Sequence, residues 1–155
     1  MTKQELATSY FLQGYNCAQA VVLAFKDEIG VDEKTLLRIS SPFGGGMGRL
    51  REVCGAVSGM FMVLGMICGY DNLDNPNAKA ELYAKVQELA KKFKEDNGSI
   101  VCRELLGLTQ KRDEPTPEPR TEAYYQNRPC PDKVGYAAKL IDEYLKNNNL
   151  LWLLF

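Results

Sequence analysis

The sequence predicts an all-α fold, a compact single-domain bundle of about six to seven helices around a central apolar, glycine-containing helix. Apolar residues recur at spacings of three and four along most of the chain, which is the period of a helix with one buried face. No stretch alternates apolar and polar residues as a half-buried strand does. Residues that cap or stop helices stand where the periodic segments begin and end.

The first helices are delimited by these caps and stops. One helix is predicted over residues 3–13, before Gly14. The next begins at Asn16, a good N-cap, and continues to about Ile29. Asp32 is predicted to cap a short third helix, which ends at Ser41 and the proline that follows it.

A glycine loop precedes the predicted central helix. The segment Phe43-Gly44-Gly45-Gly46-Met47-Gly48 has glycine at four of five successive positions, which predicts a loop. Residues 53–70 follow without a single charge, a length at the lower edge of what spans a bilayer. Because glycine, cysteine and serine dilute this apolar run, we expect a helix buried on all sides within the protein and no membrane span.

The C-terminal half contains two long predicted helices. Asp74-Asn75-Pro76 is a typical helix start, and the helix should end at Asn97-Gly98. A shorter helix is predicted over residues 101–106. Residues 111–129 contain four prolines and predict an extended loop, and a last helix is expected over residues 131–146. The apolar face of the first long helix should contain Leu82, Val86, Leu89 and Phe93.

The end of the chain does not fit the bundle. Residues 1–149 are predicted to form one domain, and Leu150 to Phe155 is an uninterrupted apolar tail. Six residues are too few to cross a bilayer. The tail either docks in a groove on a neighbouring subunit or derives from the expression vector. The excess apolar surface suggests a homodimer.

Composition limits the available chemistry. The chain has 19 basic and 20 acidic residues, so its charge balance produces no broad positive potential that would attract nucleic acid. No nucleic-acid partner is therefore expected. The absence of histidine excludes Ser-His-Asp and Cys-His catalysis, histidine-ligated haem and mixed Cys/His zinc sites. The polar N-terminus lacks the apolar segment of a signal peptide, which predicts a cytoplasmic protein with reduced thiols.

Four of the five cysteines share one local setting. Cys17 follows the predicted cap Asn16, and Cys54 lies where the central helix begins. Cys102 lies three residues after Ser99, another candidate cap, and Cys130 precedes a proline-first helix start. Each should therefore lie in or beside a first helical turn, where the macrodipole lowers the pKa of a thiol.

The fifth cysteine lies elsewhere. Cys68 is at the far end of the central helix, roughly 21 Å from Cys54 at about 1.5 Å per residue, so one site cannot easily hold both. It is predicted to be a buried apolar residue. Arg49 and Arg51 are expected to add positive charge near Cys54.

Three functions are compatible with these thiols. Two of the cysteines, Cys54 among them, could cycle between dithiol and disulfide, exchanging electrons with a redox partner protein. Alternatively, all four could converge as ligands of an iron–sulfur cluster or of zinc. The third hypothesis is a helical interaction protein with inert thiols, because no CxxC spacing occurs and free cysteine is common in protein cores.

The residues Cys54-Gly55-Ala56-Val57-Ser58-Gly59 form a CGAxxG motif. Together with Asn16-Cys17-Ala18-Gln19-Ala20 and the glycine loop, the chain resembles the C_GCAxxG_C_C family of redox-active proteins. The resemblance implies that Cys17, Cys54, Cys102 and Cys130 are its four characteristic cysteines, with Cys68 outside the pattern. A related region occurs in split-Soret cytochromes, but haem is disfavoured here without histidine or a CxxCH motif.

Two glycine groups are candidates for cofactor contact. Gly55 and Gly59 share a helix face, so either a cofactor or another helix could approach there. Gly44, Gly45 and Gly46 offer backbone N–H groups to an anion, although the loop is not a GxxxxGK[ST] phosphate loop. Tyr124 and Tyr125 are expected either to cover a site or to pack on the core. No particular cofactor follows from these residues.

Overall fold

The computed structural model describes residues 1–109 and 112–150 and confirms the all-α prediction. Within these ranges there is no strand, and β-structure is limited to an isolated antiparallel bridge between Val53 and Val101. A 3₁₀ turn (Ser41–Phe43) joins α4 to α5. The helices are α1 (Lys3–Leu12), α2 (Cys17–Ala24), α3 (Lys26–Ile29), α4 (Glu33–Ser40), α5 (Gly44–Met47), α6 (Gly55–Cys68), α7 (Ala78–Asn97), α8 (Cys102–Leu105), α9 (Glu122–Asn127) and α10 (Cys130–Asn147).

The predicted caps at the N-terminal helices are confirmed. Asn16 accepts a hydrogen bond from the Gln19 backbone N–H, and the Gln19 side-chain oxygen accepts one from the Asn16 backbone N–H. Asp32 accepts one from the backbone N–H of Thr35 at the start of α4.

The predicted helix from Asn16 to Ile29 is in fact two helices. The chain leaves helical geometry at Phe25, whose φ is −112° and ψ 15°. The Phe25 ring is fully buried there, and Lys3 Nζ donates to the Ala24 carbonyl at 2.8 Å. The Lys3 ammonium group thus hydrogen-bonds a carbonyl at the end of α2, which lowers the free-energy cost of the break between α2 and α3.

Helix α6 is the centre of the bundle. Every residue from Gly55 to Met60 is buried, and α6 packs mainly on α2, while α1 packs mainly on α10. The prediction of burial on all sides is wrong for the second half, where Gly65 and Met66 are exposed. Among the described residues, no helix combines the length and apolarity needed to cross a membrane.

Helix α7 begins later than predicted. Its first residue is Ala78, because the Asn75 side chain accepts from the Asn77 N–H and forms a turn before the helix. The predicted end at Asn97 is confirmed, with Gly98 left-handed at φ 90°. Of the predicted apolar face, Leu89 and Phe93 are fully buried, whereas Leu82 and Val86 are half-buried.

Two further local predictions need correction. Ser99 does not cap α8; its hydroxyl accepts from the Val101 N–H, and Val101 is the residue that precedes the helix. The segment predicted as an extended loop contains α9, capped by Thr121, which accepts from the Tyr124 N–H. Prolines on both sides concealed this helix, since Pro119 lies three residues before its first residue and Pro129 two residues after its last, which suggested a continuous loop.

The first residue of the C-terminal tail is the last residue that the structure describes. Leu150 is half-buried against the core. Residues 151–155 lie outside the described residues, as do residues 110–111 of the proline-rich segment. The domain boundary at residue 149 and the docking role of the tail stay predictions.

Candidate functional site

Four cysteines line one cavity of about 260 Å³. Cys17, Cys102 and Cys130 are the first residues of α2, α8 and α10, and Cys54 is the N-cap of α6. The predicted position of each beside a helix start is therefore correct. Cys68, at the opposite end of α6, is not part of the cavity lining and is half-buried rather than fully buried.

An isolated β-bridge aligns two of these cysteines. On either side of the bridge, the Cys54 N–H donates to the Ile100 carbonyl at 2.8 Å, and the Cys102 N–H donates to the Glu52 carbonyl at 2.6 Å. Helices α6 and α8 both begin where this bridge ends. Main-chain hydrogen bonds thus hold Cys54 and Cys102 on neighbouring segments, although 47 intervening residues separate them in the chain.

Glycines allow the cysteine-bearing segments to approach one another. A Cβ on Gly55 would lie 2.9 Å from the Cys17 Cβ, closer than side chains approach each other. A Cβ on Gly46 would lie 2.5 Å from the Cys102 Cβ, and Gly46 also has φ +68°. The space that these two glycines leave is filled by cysteine side chains of this chain. Contact of Gly46 or Gly55 with a cofactor stays a prediction.

The other candidate glycines differ in position. Gly44 and Gly45 line the cavity, and a Cβ on Gly44 would lie 2.4 Å from the Asn16 side chain. Gly59 lies outside the cavity lining, where a Cβ would be 2.8 Å from the Ala18 carbonyl oxygen. At Gly59 the structure thus favours close helix packing over cofactor contact.

Cys17 and Cys130 are a pair of neighbouring thiols, each of which shifts the pKa of the other. The hydrogen bond from Cys17 lowers the pKa of Cys130 to about 7, against the opposing effect of burial. The Arg128 charge and a hydrogen bond from Tyr124 lower it further. The same contact with Cys130, together with burial, raises the pKa of Cys17. Cys130 is therefore the more acidic thiol of the pair, and Cys17 is the less acidic one.

The prediction that every helix-start thiol has a lowered pKa is wrong for the other members. Burial raises the pKa of Cys54 to about 12, although the N–H groups of Ala56 and Val57 oppose it. Burial also raises the pKa of Cys102, against the effect of Arg51. Both side chains are more than nine-tenths buried, so desolvation of the thiolate outweighs the favourable dipole at the helix start.

The arginine that was expected beside Cys54 contacts Cys102 instead. Arg51 Nη1 lies 3.6 Å from Cys102 Sγ, and Arg51 Nε donates to Asp113 Oδ2 at 2.7 Å. Arg49 Nε donates to the Glu114 carbonyl at 2.6 Å. The two arginines thereby fasten the segment after residue 112 to the cysteine site.

A third arginine fastens the same segment to α1. Arg120 donates to the carbonyls of Phe11 and Tyr15 at 2.9 and 3.1 Å, and its guanidinium lies 3.9 Å from the centre of the Phe11 ring. Tyr124 lines the cavity, whereas Tyr125 packs edge-on against Phe11. Of the two sequence alternatives, covering a site applies to Tyr124 and core packing to Tyr125.

Sequence reasoning missed two basic residues close to Cys130. Arg128 and Lys133 both line the cavity, two positions before and three positions after this cysteine. Lys133 could have been found from its spacing, because residues three apart on a helix share a face. Arg128 carried no such signal, since it lies outside both α9 and α10.

The predicted metal-ligand set is not assembled as such. Within residues 1–109 and 112–150, no group of three or more cysteine or carboxylate side chains is spaced to hold a metal ion. The four cysteines share a cavity but form a thiol pair and two separately buried thiols.

Comparison with known protein families gives a match over most of the chain. A family model described as "Putative redox-active protein (C_GCAxxG_C_C)" matches residues 15–144. The chain belongs to this C_GCAxxG_C_C family. The matched range includes all four cavity cysteines and the glycine loop, so the resemblance inferred from the CGAxxG motif is confirmed. No curated protein and no solved structure matches the chain.

Proposed function

We propose that this C_GCAxxG_C_C protein is a dithiol–disulfide redox protein in which Cys130 is the nucleophile and Cys17 the resolving thiol. The observation that supports this most directly is that the two thiols line the same cavity and shift each other's pKa, with that of Cys130 lowered to about 7. At neutral pH about half of a thiol with this pKa is ionised, compared with a few per cent of an ordinary cysteine. Both side chains are half-buried and line the cavity, so a small disulfide can reach them.

The reaction proceeds in two exchange steps. The Cys130 thiolate attacks one sulfur of a substrate disulfide, forming a mixed disulfide and releasing the first substrate thiolate. That thiolate takes up the proton lost by Cys17, and the Cys17 sulfur attacks Cys130 Sγ. A Cys17–Cys130 disulfide forms and the second thiolate leaves, taking up a proton from water. The protein dithiol loses two electrons and the substrate disulfide gains them. A dithiol protein, the redox partner predicted from the sequence, would restore the starting state.

The test is single-turnover oxidation of the reduced protein by bis(2-hydroxyethyl) disulfide without oxygen. Mass spectrometry should locate a Cys17–Cys130 crosslink. Cys17→Ser should stop at a mixed disulfide on Cys130, and Cys130→Ser should react at least about tenfold more slowly at pH 7. Cys68→Ser is the matched control, since Cys68 is half-buried but outside the cavity.

The proposal is abandoned if the crosslink joins other cysteines or if Cys130→Ser reacts at the wild-type rate. Unchanged kinetics in both pair variants would indicate that Cys17 and Cys130 take no part in the exchange. No reaction of the wild-type protein would indicate inert thiols, the third hypothesis from the sequence.

Metal binding is the second candidate, favoured by the presence of all four cysteines in one arginine-lined cavity. Cys17, Cys54, Cys102 and Cys130 would be the ligands of an iron–sulfur cluster or of zinc. The described side chains are not spaced as a metal site. Iron and zinc content of protein purified without oxygen decides the matter. A stoichiometric metal that protects all four thiols from alkylation would replace the disulfide proposal.

A further inference from the structure

The cavity that contains the thiol pair has an excess of positive charge. Five basic side chains and one carboxylate of the described residues line it. Counting Asp113, which pairs with Arg51, and an ionised Cys130, the formal charge is still positive. These lining residues are Arg49, Arg51, Arg120, Arg128, Lys133 and Glu118.

Much of this charge is not neutralised by the protein itself. Arg51 is paired with Asp113, and Arg128 is paired with Glu118. Among the described residues, no carboxylate forms an ion pair with Arg120 or Lys133. Arg120 is oriented by backbone carbonyls, and Lys133 Nζ donates to Asn97 Oδ1 at 2.9 Å. Both cations are thus fixed in place by neutral groups.

The position of Lys133 relates this charge to the reacting sulfur. Cys130 and Lys133 are three residues apart on α10 and share a helix face. The charges of Arg120 and Arg128 both lower the pKa of Cys130, so both guanidinium groups interact electrostatically with its sulfur. A substrate disulfide that reaches Cys130 therefore enters a cavity that Arg120, Arg128 and Lys133 also line.

The size of the cavity indicates what kind of molecule it holds. A volume of about 260 Å³ is near the lower end of the range for small-molecule sites, and the lining includes Pro115, Pro117 and Tyr124 as apolar wall. Such a cavity admits a small molecule with an apolar middle and charged ends. It leaves little room for a folded protein segment.

We infer that the substrate is a small anionic disulfide with carboxylate groups on either side of the sulfur pair. This inference rests on the proposed dithiol–disulfide function and adds the substrate class. The carboxylates lie against Arg120 and Lys133 while Cys130 attacks the nearer sulfur. The electron balance is that of the exchange given above, with the dicarboxylate disulfide reduced to two carboxylate thiols.

The test compares three disulfides of similar size and different charge under single-turnover conditions. Bis(2-carboxyethyl) disulfide is dianionic, bis(2-hydroxyethyl) disulfide is neutral, and cystamine is dicationic. Each rate constant is divided by that of 2-mercaptoethanol with the same disulfide, which removes intrinsic reactivity. A free thiolate disfavours the dianion by charge repulsion, so a preference for it must come from the protein.

We expect the dianion to react at least about tenfold faster than the dication after this correction, because a cavity of one charge sign concentrates ligands of the opposite sign. Raising the salt from about 0.01 M to about 1 M should remove most of the preference, as the screening length falls from about 30 to 3 Å. Equal corrected rates, or a preference for cystamine, overturn the inference and leave the exchange chemistry intact. Failure of all three disulfides to react overturns the proposed function and this inference with it.

Variants on α10 separate attraction of the substrate by charge from the intrinsic reactivity of Cys130. Lys133→Gln should lower the dianion rate severalfold relative to the neutral disulfide, and Lys133→Glu should lower it further. Lys139→Gln is the matched control, since Lys139 is exposed on the same helix and outside the cavity lining. The neutral disulfide reports any change in the reactivity of Cys130, so only the ratio counts. A ratio unchanged in Lys133→Glu is a second result that refutes the inference.

Discussion

Substitution of Gly46 tests how the glycine loop places Cys102. In Gly46→Ala the new Cβ would lie 2.5 Å from the Cys102 Cβ and 2.9 Å from the Arg51 Cα, and the backbone would keep its left-handed φ of +68°. Left-handed backbone costs about 1–2 kcal/mol for a residue with a Cβ, and overpacking adds about 1–3 kcal/mol. We therefore expect the free energy of unfolding to fall by about 2–5 kcal/mol.

Gly48→Ala is the control for the backbone term. Gly48 has φ +60°, but a Cβ there would meet only the Pro42 carbonyl oxygen at 3.8 Å, an ordinary contact. This variant should therefore lose only about 1–2 kcal/mol. Urea denaturation of both reduced variants, monitored by the circular dichroism of the helices, gives the two losses in the free energy of unfolding.

The difference between the variants isolates the clash with Cys102. If Gly46→Ala relieves the clash by moving α8, Cys102 should also be alkylated faster than in the wild type, because its burial decreases. Equal losses of stability in both variants, with Cys102 still protected, would show that the close approach of Gly46 does not position this cysteine.

Three further predictions concern other parts of the bundle. Gly59→Ala should lower stability by about 1–3 kcal/mol in urea denaturation because of close helix packing, whereas Gly65→Ala, in open space, should raise it by about 0.5–1 kcal/mol. Cys17→Ala should shift the iodoacetamide pH profile of Cys130 upward from about 7, and Cys17→Ser, which keeps a donor, should shift it less. In Arg120→Lys the single ammonium group cannot hydrogen-bond the carbonyls of both Phe11 and Tyr15, so the free energy of unfolding should fall by about 1–3 kcal/mol. Residues 112–121 should also be cleaved faster by a protease, and an unaltered cleavage rate would contradict this.

The pH dependence of stability should have opposite signs at Cys130 and at Cys54, because the pKa of the first thiol is lowered and that of the second is raised. The pKa of Cys130 is lower in the folded protein than in the unfolded chain, so its ionisation stabilises the fold above the unfolded pKa, and this contribution is lost as the pH falls through about 7. The raised pKa of Cys54 acts in reverse, and its contribution is lost as the pH rises toward about 12. Cys54→Ala should reduce the alkaline loss in urea titrations, and an unchanged alkaline profile would contradict this reasoning.

Local sequence signals were sufficient for most of the fold. Caps such as Asn16 and Asp32 act through their nearest neighbours, so their positions could be read directly. The later start of α7 and the presence of α9 were missed because side-chain turns and prolines close to these helices suggested other boundaries. The break at Phe25 depends on a contact with Lys3 from another helix, which no local pattern contains.

The site was predictable in membership but not in arrangement. The shared helix-start setting and the CGAxxG motif indicated the four cysteines, and the structure gives them one cavity. Their division into one thiol pair and two buried thiols depends on tertiary contacts, notably the bridge between Val53 and Val101, which is too short to produce a strand pattern. The pKa values differ for the same reason, since burial was not readable from spacing and outweighs the dipole at Cys54.

The positions of the paired thiols near the two ends of the matched family region have a thermodynamic consequence. A crosslink between Cys17 and Cys130 encloses a loop of roughly 110 residues, for which the chain-entropy model gives about 5 kcal/mol of restriction on the unfolded chain. By linkage, whatever the crosslink adds to the stability of the fold, the fold adds to the stability of the crosslink. Under the proposed function, oxidation would therefore tie α2 to α10 and raise the unfolding midpoint. The melting temperature itself would then report the redox state of the protein.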